Sequence, residues 1–210
     1  MFRRAAQHDR TRKSRHREVR VRTTTVRLVR RMAVALPLLA SLVSSALAQD
    51  GYLDRTYKIK AAYLYNFAKY VQWPSSSVPD SGDAANTFTI GVVGGNPFGN
   101  SLERIAQQKK LGGKSIRIVS VKQVETVLNC EMLFFSSHSD PRLVDKIFSQ
   151  VRGHPTLLVG ESADFAARGG MINFIIENNK VRFEINARSA ADSGVVISSK
   201  LLRLGKPVSP

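Results

Sequence analysis

Cysteine is almost missing from this 210-residue chain: Cys130 is the only one, so no intramolecular disulfide forms and a disulfide-stapled fold is excluded. Its neighbours in CEMLFF are apolar, which places the thiol for burial. Histidine is scarce too. His8 and His16 lie near the N-terminus, leaving His138 and His154 for the rest of the chain. One cysteine and two isolated histidines give none of the spacings of a zinc site, and no acidic cluster suggests a carboxylate cage for a hard cation. No metal and no cofactor are expected. Internal repeats, heptads and low-complexity tracts are absent from residues 49–210, so neither a solenoid nor a coiled coil is expected.

A long hydrophobic run is also lacking. The apolar, uncharged run at residues 32–48 (MAVALPLLASLVSSALA) is shorter than the roughly 20 residues of a bilayer-spanning helix. Arg27, Arg30 and Arg31 precede it, and Ala46-Leu47-Ala48 forms a small-x-small site before Gln49. A basic region, a short apolar core and that site spell a secretory signal peptide cleaved after Ala48. Residues 1–48 are thus read as a basic leader and signal, and 49–210 as one mature domain in the periplasm. The stretch before the apolar core is long for a signal, and a start at Val26 would give one of conventional length.

Export changes the meaning of the charge. The formal +16 is concentrated at the N-terminus, where residues 1–31 carry twelve basic and two acidic side chains. Residues 49–210 keep twenty basic and fourteen acidic ones, a net of +6. The apparent nucleic-acid signature leaves with the leader, so no nucleic-acid partner is expected.

The mature part alternates strand and helix signals. Residues 52–73 carry Ile59, Tyr63, Phe67 and Tyr70 at helical spacing, with Lys58 and Lys69 toward water and Pro74 as the stop. Residues 75–86, rich in Ser, Pro, Gly and Asp, read as a surface loop. Four short apolar runs follow as strands: Phe88–Val93, Ile116–Val119, Met132–Phe135 and Thr156–Val159. Between them Ser101–Gln108, Val121–Asn129 and Arg142–Val151 read as helices. Met171–Ile176 and Val181–Ile185 flank Asn178-Asn179 and predict an antiparallel hairpin. A final helix over Ala187–Leu204 precedes Gly205 and Pro207. This alternation predicts a three-layer α/β domain: a mostly parallel sheet, helices on both faces, and the hairpin as an antiparallel C-terminal addition.

Each catalytic motif fails on a named residue. The turn Gly94–Gly99 opens a helix as a phosphate loop does, but Asn100 and Ser101 stand where the lysine and hydroxyl residue belong. Gly160-Glu161-Ser162-Ala163-Asp164 nearly spells a nucleophile elbow, yet its fifth residue is Asp and no histidine follows Ser162 in the chain. Ser137, His138 and Asp140 are too close in sequence for triad geometry and read as a capped turn. No catalytic residue is assigned, and the chain is read as a non-enzyme.

Longer segments carry a resemblance. KIKAAYLYNFAKYVQWP (58–74), FTIGVVGGNPFG (88–99), CEMLFFSS (130–137), LLVGESADFAARGGMINF (157–174) and VRFEINARSAADSGVVISSKLL (181–202) resemble, in this order, the periplasmic YfiR/HmsC-like proteins. The resemblance implies a periplasmic regulator. It would restrain an inner-membrane diguanylate cyclase through the cyclase's periplasmic region, lowering cyclic di-GMP and biofilm formation. Some relatives carry disulfides, and the lone Cys130 departs from that pattern. The alternative is a small-ligand binding module, for instance for a cell-wall fragment; pairing into a homodimer is a further expectation.

Two candidate surfaces follow. Arg182, Glu184 and Asn186 alternate with Val181, Phe183 and Ile185, giving one polar strand face beside Asn173 of the partner strand, which is either a solvated face or a binding wall. In the expected C-terminal helix, Val195-Val196-Ile197 covers too wide an arc for one buried stripe. One of the three is therefore expected to point outward, Ile197 being the candidate docking residue, with Lys200 and Arg203 beside it to steer an acidic partner; the alternatives are a helix buried on both sides or a stretch that is not helical throughout.

Overall fold

The structure, a computed structural model, describes residues 52–74 and 85–208. The expected signal peptide, its cleavage site and most of the expected 75–86 loop lie outside the described residues. Residues from Leu53 onward belong to one compact unit, and no helix among the described residues is long and apolar enough to cross a membrane.

Helix α1 (52–70) runs straight into strand β1 (Val71–Gln72). Then come β2 (Thr87–Val93), α2 (Ser101–Gln108), β3 (Lys110–Leu111) and β4 (Lys114–Val121). A 3-10 turn (Val124–Asn129), β5 (Met132–Phe135), α3 (Pro141–Gln150) and β6 (Leu157–Gly160) follow. The chain closes with β7 (Ile172–Glu177), β8 (Lys180–Ile185), α4 (Ala187–Asp192), β9 (Val196–Ile197), α5 (Ser199–Leu202) and β10 (Lys206–Pro207).

The main sheet has the order β10-β8-β7-β6-β5-β2-β4-β3. Pairing is antiparallel at β3–β4 and at the β7–β8 hairpin, and parallel between the other neighbours. Four-residue β5 and β6 are buried along their whole length, as strands covered on both faces must be. Aromatic contacts assign the layers. On one face Phe67 of α1 packs on Phe174 and Phe183, and Tyr57 meets Phe98, which meets Phe134. On the other, Phe135 packs on Phe148 of α3 and on Phe165. The hairpin turn forms as expected: Asn178 (φ 51°) and Asn179 (φ 58°) supply the left-handed pair that a tight two-residue loop requires.

The expected α/β architecture stands, with four local corrections. Helix α1 ends at residue 70 because Val71 and Gln72 pair with Ile197 and Val196. Its buried stripe is Thr56, Lys60, Leu64 and Phe67, and Ile59 is exposed instead. The expected helix over Val121–Asn129 gives way to the end of β4 and a 3-10 turn. The single helix over Ala187–Leu204 does not exist. Gly194, at φ 75°, stops α4 in the left-handed conformation that glycine takes without steric cost. Val195, Val196 and Ile197 then alternate buried, exposed, buried, the period of a strand. Ile197 is thus 8% exposed and packed, whereas Val196 takes the outward position at 58%.

Candidate functional site

In an open α/β sheet, ligands gather at the carboxyl ends of the strands, where the chain reverses its winding direction. Here that point lies between β2 and β5, because β4 is laid down on one side of β2 and β5 on the other. The gap is sewn shut. Ser136 donates its N–H to Val93 O (3.1 Å) and its hydroxyl to Gly94 O (2.8 Å), and the Ser139 hydroxyl bonds Val93 O (3.0 Å). Gly94, at φ 80°, is required for this closeness, since a Cβ there would lie 2.6 Å from the Ser139 backbone.

Beside this seam a buried ion pair joins α1 to the end of β6. Lys60 Nζ lies 2.5 Å from Glu161 Oε2, and the two side chains are only 8% and 3% exposed. Glu161 Oε1 accepts from the Tyr57 hydroxyl (3.1 Å) and from the Ser137 N–H (2.8 Å). Lys60 also lies 4.7 Å from the centre of the Tyr57 ring and 5.7 Å from that of Phe174, as cation–π contacts require. Burial, reinforced by the negative charge of Glu161 and the hydrogen bond to it, pushes the Tyr57 hydroxyl up to about 12. Both carboxylate oxygens are engaged and the phenol is held neutral, so the cluster braces the helix against the sheet; it offers no free base. Ser137 Oγ and His138 Nδ1 approach to 3.4 Å, but on an exposed turn. Cys130 is buried, and burial, with Glu131 nearby, raises its thiol to about 11, which leaves it unreactive at neutral pH.

The residues expected at a binding surface fall into three places. Asn173 and Glu184 face each other across the β7–β8 pair, with Asn173 Nδ2 3.3 Å from Glu184 Oε2. Asn173 is buried, and its Oδ1 has no hydrogen-bond donor; Arg182 is exposed on the same face, opposite Ile175. Asn186 does different work: its side chain caps α4 at Ser189 N and donates to Ala166 O, tying that helix to the preceding loop. Ile197 and Lys200 sit at the end of α1, Ile197 opposite Val71 and Lys200 donating to the Tyr70 hydroxyl (3.3 Å). The polar strand face and the C-terminal segment are therefore separate surfaces.

Sequence reasoning missed Tyr57, Lys60 and Glu161. Their signals were present: a lysine four residues after Thr56 and four before Leu64, inside the helix's apolar stripe, and an acidic residue directly after the buried run LLVG.

A profile of the YfiR/HmsC-like family matches residues 57–206. This chain belongs to that family. YfiR/HmsC-like proteins are periplasmic regulators in cyclic di-GMP signalling, and the match covers both faces of the sheet and the C-terminal segment. No curated protein matches the chain. Among solved structures it is similar to an ABC domain in complex with L-Trp from Streptococcus pneumonia, at 10% identity and a TM-score of 0.44. That alignment covers 58% of this chain and 55% of the other, so the chain spans about half of that structure's length.

Proposed function

We propose that this YfiR/HmsC-like chain is a periplasmic negative regulator that binds the periplasmic region of an inner-membrane diguanylate cyclase and holds its output down. The family match over residues 57–206 carries the reading. Two features of the fold support it. The strand ends where α/β enzymes hold substrate are closed by the Ser136–Gly94 seam and the Lys60–Glu161 pair. The C-terminal segment presents Val196, Leu202 and Leu204 to solvent, the last 65% exposed, and apolar side chains exposed in one segment suit partner docking. Lys200 and Arg203 in the same segment would steer an acidic region of the cyclase toward it. Arg182 and Glu184, with the buried Asn173 beside them, form a second, polar surface that the same partner would reach only from the opposite face of the sheet. Affinity purification from membranes tests the reading: the chain retains the cyclase, and a Val196→Asp, Leu204→Asp double variant releases it while keeping its fold. Retention of the cyclase by the folded double variant would move the interface elsewhere.

A small-ligand module is the second reading. It is favoured by a cleft of about 630 Å³ at the amino-terminal ends of the strands, away from the closed seam.

A further inference from the structure

That cleft opens where β2, β5 and β6 begin, along Arg117–Ser120 of β4 and beneath the 3-10 turn, and a second one of about 330 Å³ adjoins it against α1. Its volume falls within the roughly 300–1,000 Å³ of small-molecule sites. Trp73 and Glu131 line both clefts. The indole is fixed there: Nε1 donates to Glu131 O (3.2 Å), and the ring lies 5.1 Å from Phe88 at 78° to it. Arg117 and Glu131 both line the larger cleft but are not paired with each other. The Arg117 side chain has no ion pair or hydrogen bond with another described residue, and Glu131 commits Oε2 to Thr89 N–H (2.7 Å). Asn129, His154 and Ser120 complete a wall of mixed donors and acceptors.

We infer that this cleft binds a neutral saccharide. An anion arriving at Arg117 would meet the Glu131 carboxylate, and a cation at Glu131 would meet the guanidinium. A purely apolar ligand would strand both charges out of water. A ring bearing adjacent hydroxyls satisfies both, because each hydroxyl donates toward the carboxylate and accepts from the guanidinium. The fixed indole supplies the flat apolar surface on which the C–H face of a sugar ring rests. Recognition of this kind is independent of the cyclase, so it stands or falls on the isolated protein.

Trp73 is the only tryptophan in the sequence, so its emission reports directly on the cleft wall. The experiment titrates the purified chain with chitobiose, the disaccharide of N-acetylglucosamine, against inorganic phosphate and alanine, by fluorescence and by calorimetry. Calorimetry keeps a silent indole from masking a bound sugar. The expected result is saturable binding of chitobiose alone, weakened about tenfold in Arg117→Ala, since a charged hydrogen bond is lost. Arg117 is exposed, so the variant folds, which circular dichroism verifies. Absence of saturable heat and emission change, unaltered affinity in Arg117→Ala, or tighter binding of phosphate or alanine would each overturn the assignment.

Discussion

At the scale of single residues, the Lys60–Glu161 pair is the strongest commitment in the molecule. Two charges this deeply buried cost desolvation energy, offset by their mutual attraction and by the hydrogen bonds from Tyr57 and Ser137. Removing one partner strands the other. Lys60→Ala is therefore expected to cost about 3–5 kcal/mol, whereas a Lys60→Met, Glu161→Leu double variant costs much less because neither charge remains; denaturant unfolding of the native chain and the two variants measures the difference. Tyr57 adds a pH dependence. Its hydroxyl is raised from 10.0 to about 12, so the folded state binds that proton more tightly than the unfolded one. The stability this contributes is full below pH 10 and is lost as pH rises from 10 toward about 12. Tyr57→Phe should flatten that part of the alkaline stability profile. An unchanged slope would mean that folding does not raise the Tyr57 phenol.

At the scale of elements, the C-terminal segment shows where local pattern and tertiary pairing part company. Val195-Val196-Ile197 reads as a crowded helix when continuous helix is assumed, yet Gly194 ends α4 and the three β-branched residues extend to pair with β1. Ile197→Asp is expected to unfold the protein or lower its thermal midpoint sharply, while Val196→Asp leaves that midpoint nearly unchanged. Equal effects would contradict the alternation. The hairpin was legible because two asparagines and period-2 strands are strong local signals. The four parallel core strands were legible as short apolar runs bounded by turns. By contrast β1, β9 and β10 are two residues long and exist only through pairing with distant segments, while the equally short β3 pairs with β4 across Gly112-Gly113. The Lys60–Glu161 contact spans 101 residues of sequence, beyond the reach of any local pattern. Glu184 and Asn173 were legible as neighbours, because hairpin register follows from the turn.

At the scale of the whole molecule, the two ends of the sheet differ. The carboxyl end, the usual place for chemistry in such folds, is sealed by backbone, serine and ion-pair contacts; the amino end carries the open clefts. A domain so arranged suits holding a partner and sensing a ligand. The apolar side chains of the C-terminal segment and the cleft under the 3-10 turn are built from different stretches of the chain, so partner and ligand need not compete for the same residues. The proposed restraint of a membrane cyclase by this YfiR/HmsC-like protein requires that the two bind, which is measured by recovering the tagged chain from detergent-solubilised membranes and identifying what it carries. A diguanylate cyclase is expected to be retained by the native chain and lost from the Val196→Asp, Leu204→Asp variant. A native chain that carries no cyclase would contradict it.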